Sequence, residues 1–249
     1  MAATDQLLRD ALARDPARPL LTYYDDTTGE RAELSATTLA NWVAKTANLL
    51  VDELALEPGD RVAVVLPAHW QTAAVLLATW AAGGVATIHP DGAAVAFTDV
   101  PSLERVRARR PVELVALSLA PLGHGLASPQ PGALDYAASV RAHGDRFASS
   151  VPDDAPAVDD DGRLLSGAAL HAESRRRASE LGLHVLDRVL STLPWRDPAD
   201  WVDGLLAPLA GGASLVLCAH PHREELGHRA EAEQVTATQG IHLTGVRSL

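Results

Sequence analysis

Cys218, His220 and His222 alternate along the chain, so an extended backbone would point all three side chains the same way, with His228 as a fourth candidate ligand. Such residues hold zinc. Their spacing matches no finger pattern and Pro221 interrupts the run, so the expectation is a strand end carrying solvated imidazoles and no metal site. Ser166 in LLSGAAL has a nucleophile's hydroxyl but lacks the Gly-x-Ser-x-Gly elbow that exposes one. It stands where a helix beginning at Gly167 needs an N-cap. Asp153, Asp154 and Asp159 to Asp161 could offer oxygens to a cation, yet they lack the alternating spacing of a calcium loop and read as a solvated linker. The basic residues are arginines with one exception, Lys45. Their clusters at Arg105, Arg107, Arg109, Arg110 and at Arg175 to Arg177 fall on helices and read as solvated faces.

The elements that must position these residues are written twice. Residues 53–67 read ELALEPGDRVAVVLP and residues 180–194 read ELGLHVLDRVLSTLP, identical at eight of fifteen positions with an offset of 127. Each is followed by a helical stretch containing Trp, a Gly-Gly pair (Gly83-Gly84, Gly211-Gly212) and a strand-like run. The unit is helix, turn, strand, helix, Gly-Gly, strand, which describes a right-handed parallel crossover. Two copies predict an α/β fold of two mainly parallel sheets related by a pseudo-two-fold axis, with helices on their faces.

Along the chain, a short helix over residues 6–15 precedes a hairpin, LLTYYDD and RAELS around a Thr-Gly turn, placed at the entrance to the first layer. A helix capped by Ser35, a buried strand at 61–66, a helix at 70–82 and a strand at 85–88 follow. Trp70 and Trp80 read as core. A further β-α-β unit spans residues 95–119, and a Gly/Pro/Ser-rich loop at 123–131 leads to a helix at 134–142. The aspartate-rich stretch at 149–162 marks a boundary near residue 150, giving a first α/β subdomain over 1–150 and a shorter second one over 151–249. The second repeats the plan: a helix at 168–181, a strand at 189–193, a helix at 198–209 with Asp197 as cap and Pro198 in its first turn, and a strand at 214–218. A helix at 223–233 and a strand at 241–243 complete it.

Bulk composition narrows the function classes. A formal charge of −11 disfavours nucleic acid as a partner. The 47% hydrophobic content is spread without a 20-residue apolar span, and the N-terminal MAATDQLLRDALARD has no secretory pattern, so the expectation is a cytoplasmic protein with no membrane association. One cysteine excludes an internal disulfide.

The order of hairpin, long helix, PGDRVAVVLP, helix, Gly-Gly-Val, then DRVLSTLP, helix and Gly-Gly-Ala-Ser-Leu-Val-Leu resembles the N-terminal domain of the adenylate-forming superfamily, the AMP-binding acyl-CoA synthetases and ligases. PGDRVAVVLP with its Trp-containing helix is the most specific part, and within the superfamily the chain is similar to a small bacterial group of short, AMP-ligase-like proteins. The resemblance implies AMP or ATP as ligands and a Ser/Thr/Gly-rich phosphate loop ending in Pro-Lys-Gly, because adenylation builds negative charge at phosphorus. Where that loop belongs, the sequence runs Asp159-Asp160-Asp161-Gly162-Arg163, an Asp-Gly turn fit for a shortened hairpin, and its carboxylates repel a triphosphate. The family's adenine-binding strand, its magnesium-associated glutamate and the swinging domain with its catalytic lysine would lie beyond Leu249, and Lys45 sits in an N-terminal helix. The resemblance also places Trp195 where the superfamily carries an aromatic or His near its acyl pocket. Ser166, Pro194, Trp195 and Asp197 are therefore the candidate substrate-binding residues, with no catalytic residue and no cofactor.

The leading expectation is a truncated, degenerate homologue, a pseudoenzyme that binds or scaffolds without ATP-dependent acyl activation. The alternative is a minimal AMP-binding acyl-CoA ligase-like enzyme completed by a partner chain. A third expectation is that a face left apolar is buried in a homodimer or against a protein partner.

Overall fold

The computed structural model describes residues 3–249, with side chains from residue 5 onward. Two mixed sheets flanked by helices form the predicted α/β fold. In chain order the elements are α1 (Ala3–Arg14), β1 (Pro19–Asp25), β2 (Glu30–Ser35), α2 (Ala36–Asn48), β3 (Arg61–Val65), α3 (Trp70–Ala81), β4 (Val85–Thr87), β5 (Val95–Asp99), α4 (Leu103–Arg107), β6 (Glu113–Leu117), β7 (Leu134–Asp135) and α5 (Tyr136–Val140). They continue as β8 (Pro156–Asp160), β9 (Arg163–Ser166), α6 (Gly167–Glu180), β10 (Arg188–Ser191), α7 (Pro198–Trp201), α8 (Ala207–Gly211), β11 (Ser214–Ala219), α9 (Arg223–Ala232), β12 (Ala237–Gln239) and β13 (Arg247–Ser248). One-turn π-helices, Leu49–Glu53 and Val202–Leu206, extend α2 and join α7 to α8.

The repeat in the sequence becomes a repeat in space, with an exchange. The seven-stranded sheet runs β7-β6-β5-β3-β4-β8-β9 and the six-stranded sheet β13-β12-β10-β11-β1-β2. All neighbours are parallel except the two hairpins, β1–β2 and β8–β9. The hairpin of the first half pairs with β11 of the second, Leu21 opposite Leu215, and that of the second half pairs with β4 of the first, Ala86 opposite Val158. The N-terminal hairpin thus completes the six-stranded sheet rather than opening the first layer, and each sheet draws strands from both sides of residue 150. Hydrophobic alternation tells which face of a strand is buried, not which distant strand it pairs with.

Local chemistry sets the elements. Ser35 caps α2 through Thr38 N–H and Ser166 caps α6 through Ala169 N–H. β3 is buried along its middle, as a parallel strand covered on both faces must be. Trp80 donates to the Ala157 carbonyl at 2.9 Å, tying α3 to β8, and both Trp70 and Trp80 lie in the core as expected. Near the C-terminus the strands are β12 and β13, not residues 241–243. Ala237 to Gln239 are the buried residues that pair with β10, and Gly240, at φ 74°, turns the chain away.

Candidate functional site

Strand order determines where a cleft opens. β4 and β5 lie on opposite sides of β3, and β11 and β12 on opposite sides of β10, so each sheet reverses its winding at one strand. Loops leaving the carboxyl ends of such strands diverge and leave a crevice. The two crevices merge into one cavity of about 440 Å³. Its walls are Val64 to Ala68 at the end of β3, Ile88 after β4, and Pro194 to Arg196 after β10. Asp99, Ser102 and Arg105, at the end of β5 and on α4, supply polar groups.

The apolar wall is anchored by Trp195, which is 3% exposed. Its indole Nε1 finds no hydrogen-bond partner and lies against Gly204 of the facing π-turn, so close that a Cβ there would collide with the ring. Opposite, Asp99 Oδ1 accepts from Ser102 N–H at 2.9 Å and so starts α4, which carries Arg105. Arg105 and Arg196 are exposed and Asp99 is the one carboxylate lining the cavity, so the site is locally positive in a chain of net charge −11. An apolar wall with convergent cations suits a ligand with an apolar part and an anionic part.

Behind Ala68 the wall is braced by a buried polar cluster. His69 caps α3, its Nδ1 accepting from Gln71 N–H at 3.0 Å, which leaves the proton of the neutral ring on Nε2. That nitrogen is 3.9 Å from Glu30 Oε2 on β2, and Trp70 Nε1 donates to Glu30 Oε1 at 3.4 Å. Tyr23 of β1 packs its ring on His69 with centroids 4.3 Å apart. Burial pushes the imidazole pKa down, against the raising influence of Glu30 and Asp25.

Of the four residues singled out in the sequence, Pro194 and Trp195 line this cavity, whereas Ser166 and Asp197 do not. Ser166 is occupied in capping α6, and Asp197 caps α7 by accepting from Asp200 N–H. Asp99, Ser102 and Arg105 escaped sequence reading, Arg105 having been grouped with a solvated arginine face. The available signal was positional, since Asp99 ends a strand beside a winding reversal.

At the hairpin β8–β9 only Asp161 and Gly162 connect the strands, both at positive φ (51° and 88°), as a two-residue hairpin turn requires. Arg61 Nε lies 3.0 Å from Asp159 Oδ2, Gly162 N–H donates to Asp159 Oδ1, and His89 Nε2 lies 2.8 Å from Asp161 Oδ1. Lys45 donates to the His143 carbonyl at 2.6 Å. Cys218 is buried with Leu190, Val216 and Leu226, which holds its thiol pKa up. His220, by contrast, is exposed with Nδ1 3.1 Å from Asp25 Oδ1. Among the described residues no three His, Cys, Asp or Glu side chains form a metal-binding group, and no helix is long and apolar enough to cross a membrane.

Comparison with known proteins places this geometry. A family model described as AMP-binding enzyme matches residues 8–94. A TIGR03089 family protein of Mycobacterium tuberculosis (strain ATCC 25618 / H37Rv) is 46% identical over 238 residues, covering 92% of this chain and 95% of the relative. Among solved structures, acetoacetyl-CoA synthetase from Streptomyces lividans superposes with a TM-score of 0.79 at 23% identity, over 96% of this chain and 42% of the enzyme. An acyl-CoA synthetase from Brucella canis gives 0.78 at 18% identity, over 96% of this chain and 47% of the enzyme. The chain thus spans less than half the length of these two enzymes.

Proposed function

Because this chain belongs to the TIGR03089 family and has the fold of the N-terminal domain of adenylate-forming enzymes, we propose that it is a binding protein on that fold. It holds a ligand with an apolar and an anionic part in the cleft at Trp195 and does not itself activate acids with ATP. The observation that carries this reading is the two-residue turn at Asp161–Gly162. The turn exposes too little backbone to cradle a triphosphate, and the side chain it presents to solvent is the Asp161 carboxylate. Lys45, bonded to a backbone carbonyl, serves the fold rather than a reaction.

A second reading, a minimal AMP-binding ligase-like enzyme whose site is completed by a partner chain, is favoured by the cleft being open and cationic. Calorimetric titration with AMP and with a non-hydrolysable acyl-adenylate mimic tests the binding. Affinity of about 10 μM, roughly 7 kcal/mol, lost in Trp195→Ala, supports a ligand-holding cleft. No heat with either compound contradicts occupancy by this ligand class.

A further inference from the structure

No hydrogen bond fixes the Trp195 indole in the cleft wall, because its buried Nε1 has no partner. Packing sets the place of the ring, and Gly204 lies so close that a Cβ there would collide with it. Whatever holds the Gly204 backbone therefore helps to hold the ring.

Gly204 sits in the middle of the π-turn Val202–Leu206, which closes with Ala207 N–H donating to the Val202 carbonyl. A π-turn is a rarer winding than the α-helix on either side of it, and glycine weakens a helix interior by about 1 kcal/mol relative to alanine. The local sequence thus does little to keep this turn, and two ties from outside converge on the residue before Gly204. Arg177 of α6 grips the Asp203 carboxylate with two nitrogens, Nε at 2.7 Å from Oδ1 and Nη2 at 2.9 Å from Oδ2. The Asp203 carbonyl accepts from Gln239 Nε2 at 3.1 Å. Gln239 is buried and its Oε1 has no partner, so that bond is what orients the amide. The Gln239 carbonyl, at the end of β12, in turn accepts from Thr192 N–H at 3.0 Å, three residues before Trp195.

The arginine run at 175–177, which in the sequence reads as one solvated face, divides accordingly. Arg176 pairs within its own helix, with Glu173 and Glu180, and its side chain is 53% exposed. Arg177 is 28% exposed and reaches across to the π-turn. An exposed ion pair ordinarily contributes little, but a two-pronged guanidinium–carboxylate pair fixes an orientation.

We propose that Arg177, which does not line the cleft, is a positioning residue for it. Through Asp203 it holds the π-turn, and the π-turn holds the Trp195 indole as the apolar wall. Without the ion pair the turn is left to the Gln239 bond alone and can relax toward regular helix, carrying Gly204 away from the ring. The effect on ligand affinity rests on the reading of the cleft as a ligand site; the effect on Trp195 does not.

Heteronuclear NMR of the five tryptophan indole N–H groups tests it, with the Trp195 signal assigned by its loss in Trp195→Phe. In Arg177→Gln that signal should shift while those of Trp42, Trp70 and Trp80 stay, and in Arg176→Gln all should stay. Asp203→Asn should shift Trp195 likewise, and the double variant should shift it no further than either single change, since the two side chains act as one unit. A Trp195 signal unmoved in both single variants overturns the proposal. So do additive shifts in the double variant, or a displacement of all five signals, which would mark a general loss of folding. Where the acyl-adenylate mimic binds the wild type, Arg177→Gln should weaken it about tenfold, and equal affinity also overturns the proposal. Silence of the mimic with the wild type contradicts the ligand-holding cleft instead, and the indole signals still decide what Arg177 positions.

Discussion

His69 shows how one residue can serve the fold and the cleft together. As the neutral cap of α3 it fixes the turn that follows the cleft wall, and its burial depresses its pKa below the ordinary 6.5. The unfolded chain therefore takes up this proton first as pH falls. The stability contributed by the neutral ring is complete above about 6.5 and is lost progressively below it. His69→Asn keeps a side chain that can cap but does not titrate. Urea midpoints should fall from pH 7.5 to 5.5 in the wild type and fall less in the variant; equal losses would remove His69 from the account. Glu233 works at the acid end with the opposite sign. Burial opposes its ionisation, but hydrogen bonds from Tyr24, Arg188 and Arg31 outweigh that and hold its carboxyl at about 2, against 4.5 ordinarily. Its contribution is present above about 4.5 and lost as pH falls toward 2, so Glu233→Gln should flatten the acid limb of the stability profile.

At the scale of elements, the helical run from residue 198 to 211 decides the shape of the cleft. Gly204 faces the Trp195 indole with no room for a methyl group. Gly→Ala in a helix ordinarily gains about 1 kcal/mol, while overpacking a filled core costs about 1–3 kcal/mol. The collision should win, so Gly204→Ala should lower the melting temperature and displace Trp195. Asp197→Ala removes a cap and should cost about 1 kcal/mol without altering the cleft lining. Sequence reading recovered this run and its Asp197–Pro198 start, because capping is local chemistry. It did not recover the π-turn at Val202–Leu206, nor the role of Gly204, which depends on a ring nine residues away in sequence.

At the scale of the molecule, the doubled DRV-to-LP segment was enough to predict two related sheets, because strand and flanking turns are coded by short-range pattern. The hairpin exchange was not legible, since pairing of β1 with β11 joins residues nearly two hundred positions apart. The cleft was half legible. Pro194 and Trp195 were found, while Asp99 and Arg105 come from the other sheet and join them only once the winding reversals are known. The same whole-molecule geometry underlies the proposed function: a cleft lined by Trp195, Asp99 and Arg105, together with a β8–β9 hairpin joined by two residues. ATP–pyrophosphate exchange by the pure protein, over a panel of carboxylic acids, tests that reading most directly. The account predicts no exchange above the protein-free rate for any acid; reproducible exchange with even one of them, lost in Trp195→Ala, would show that the chain activates acids and would contradict it.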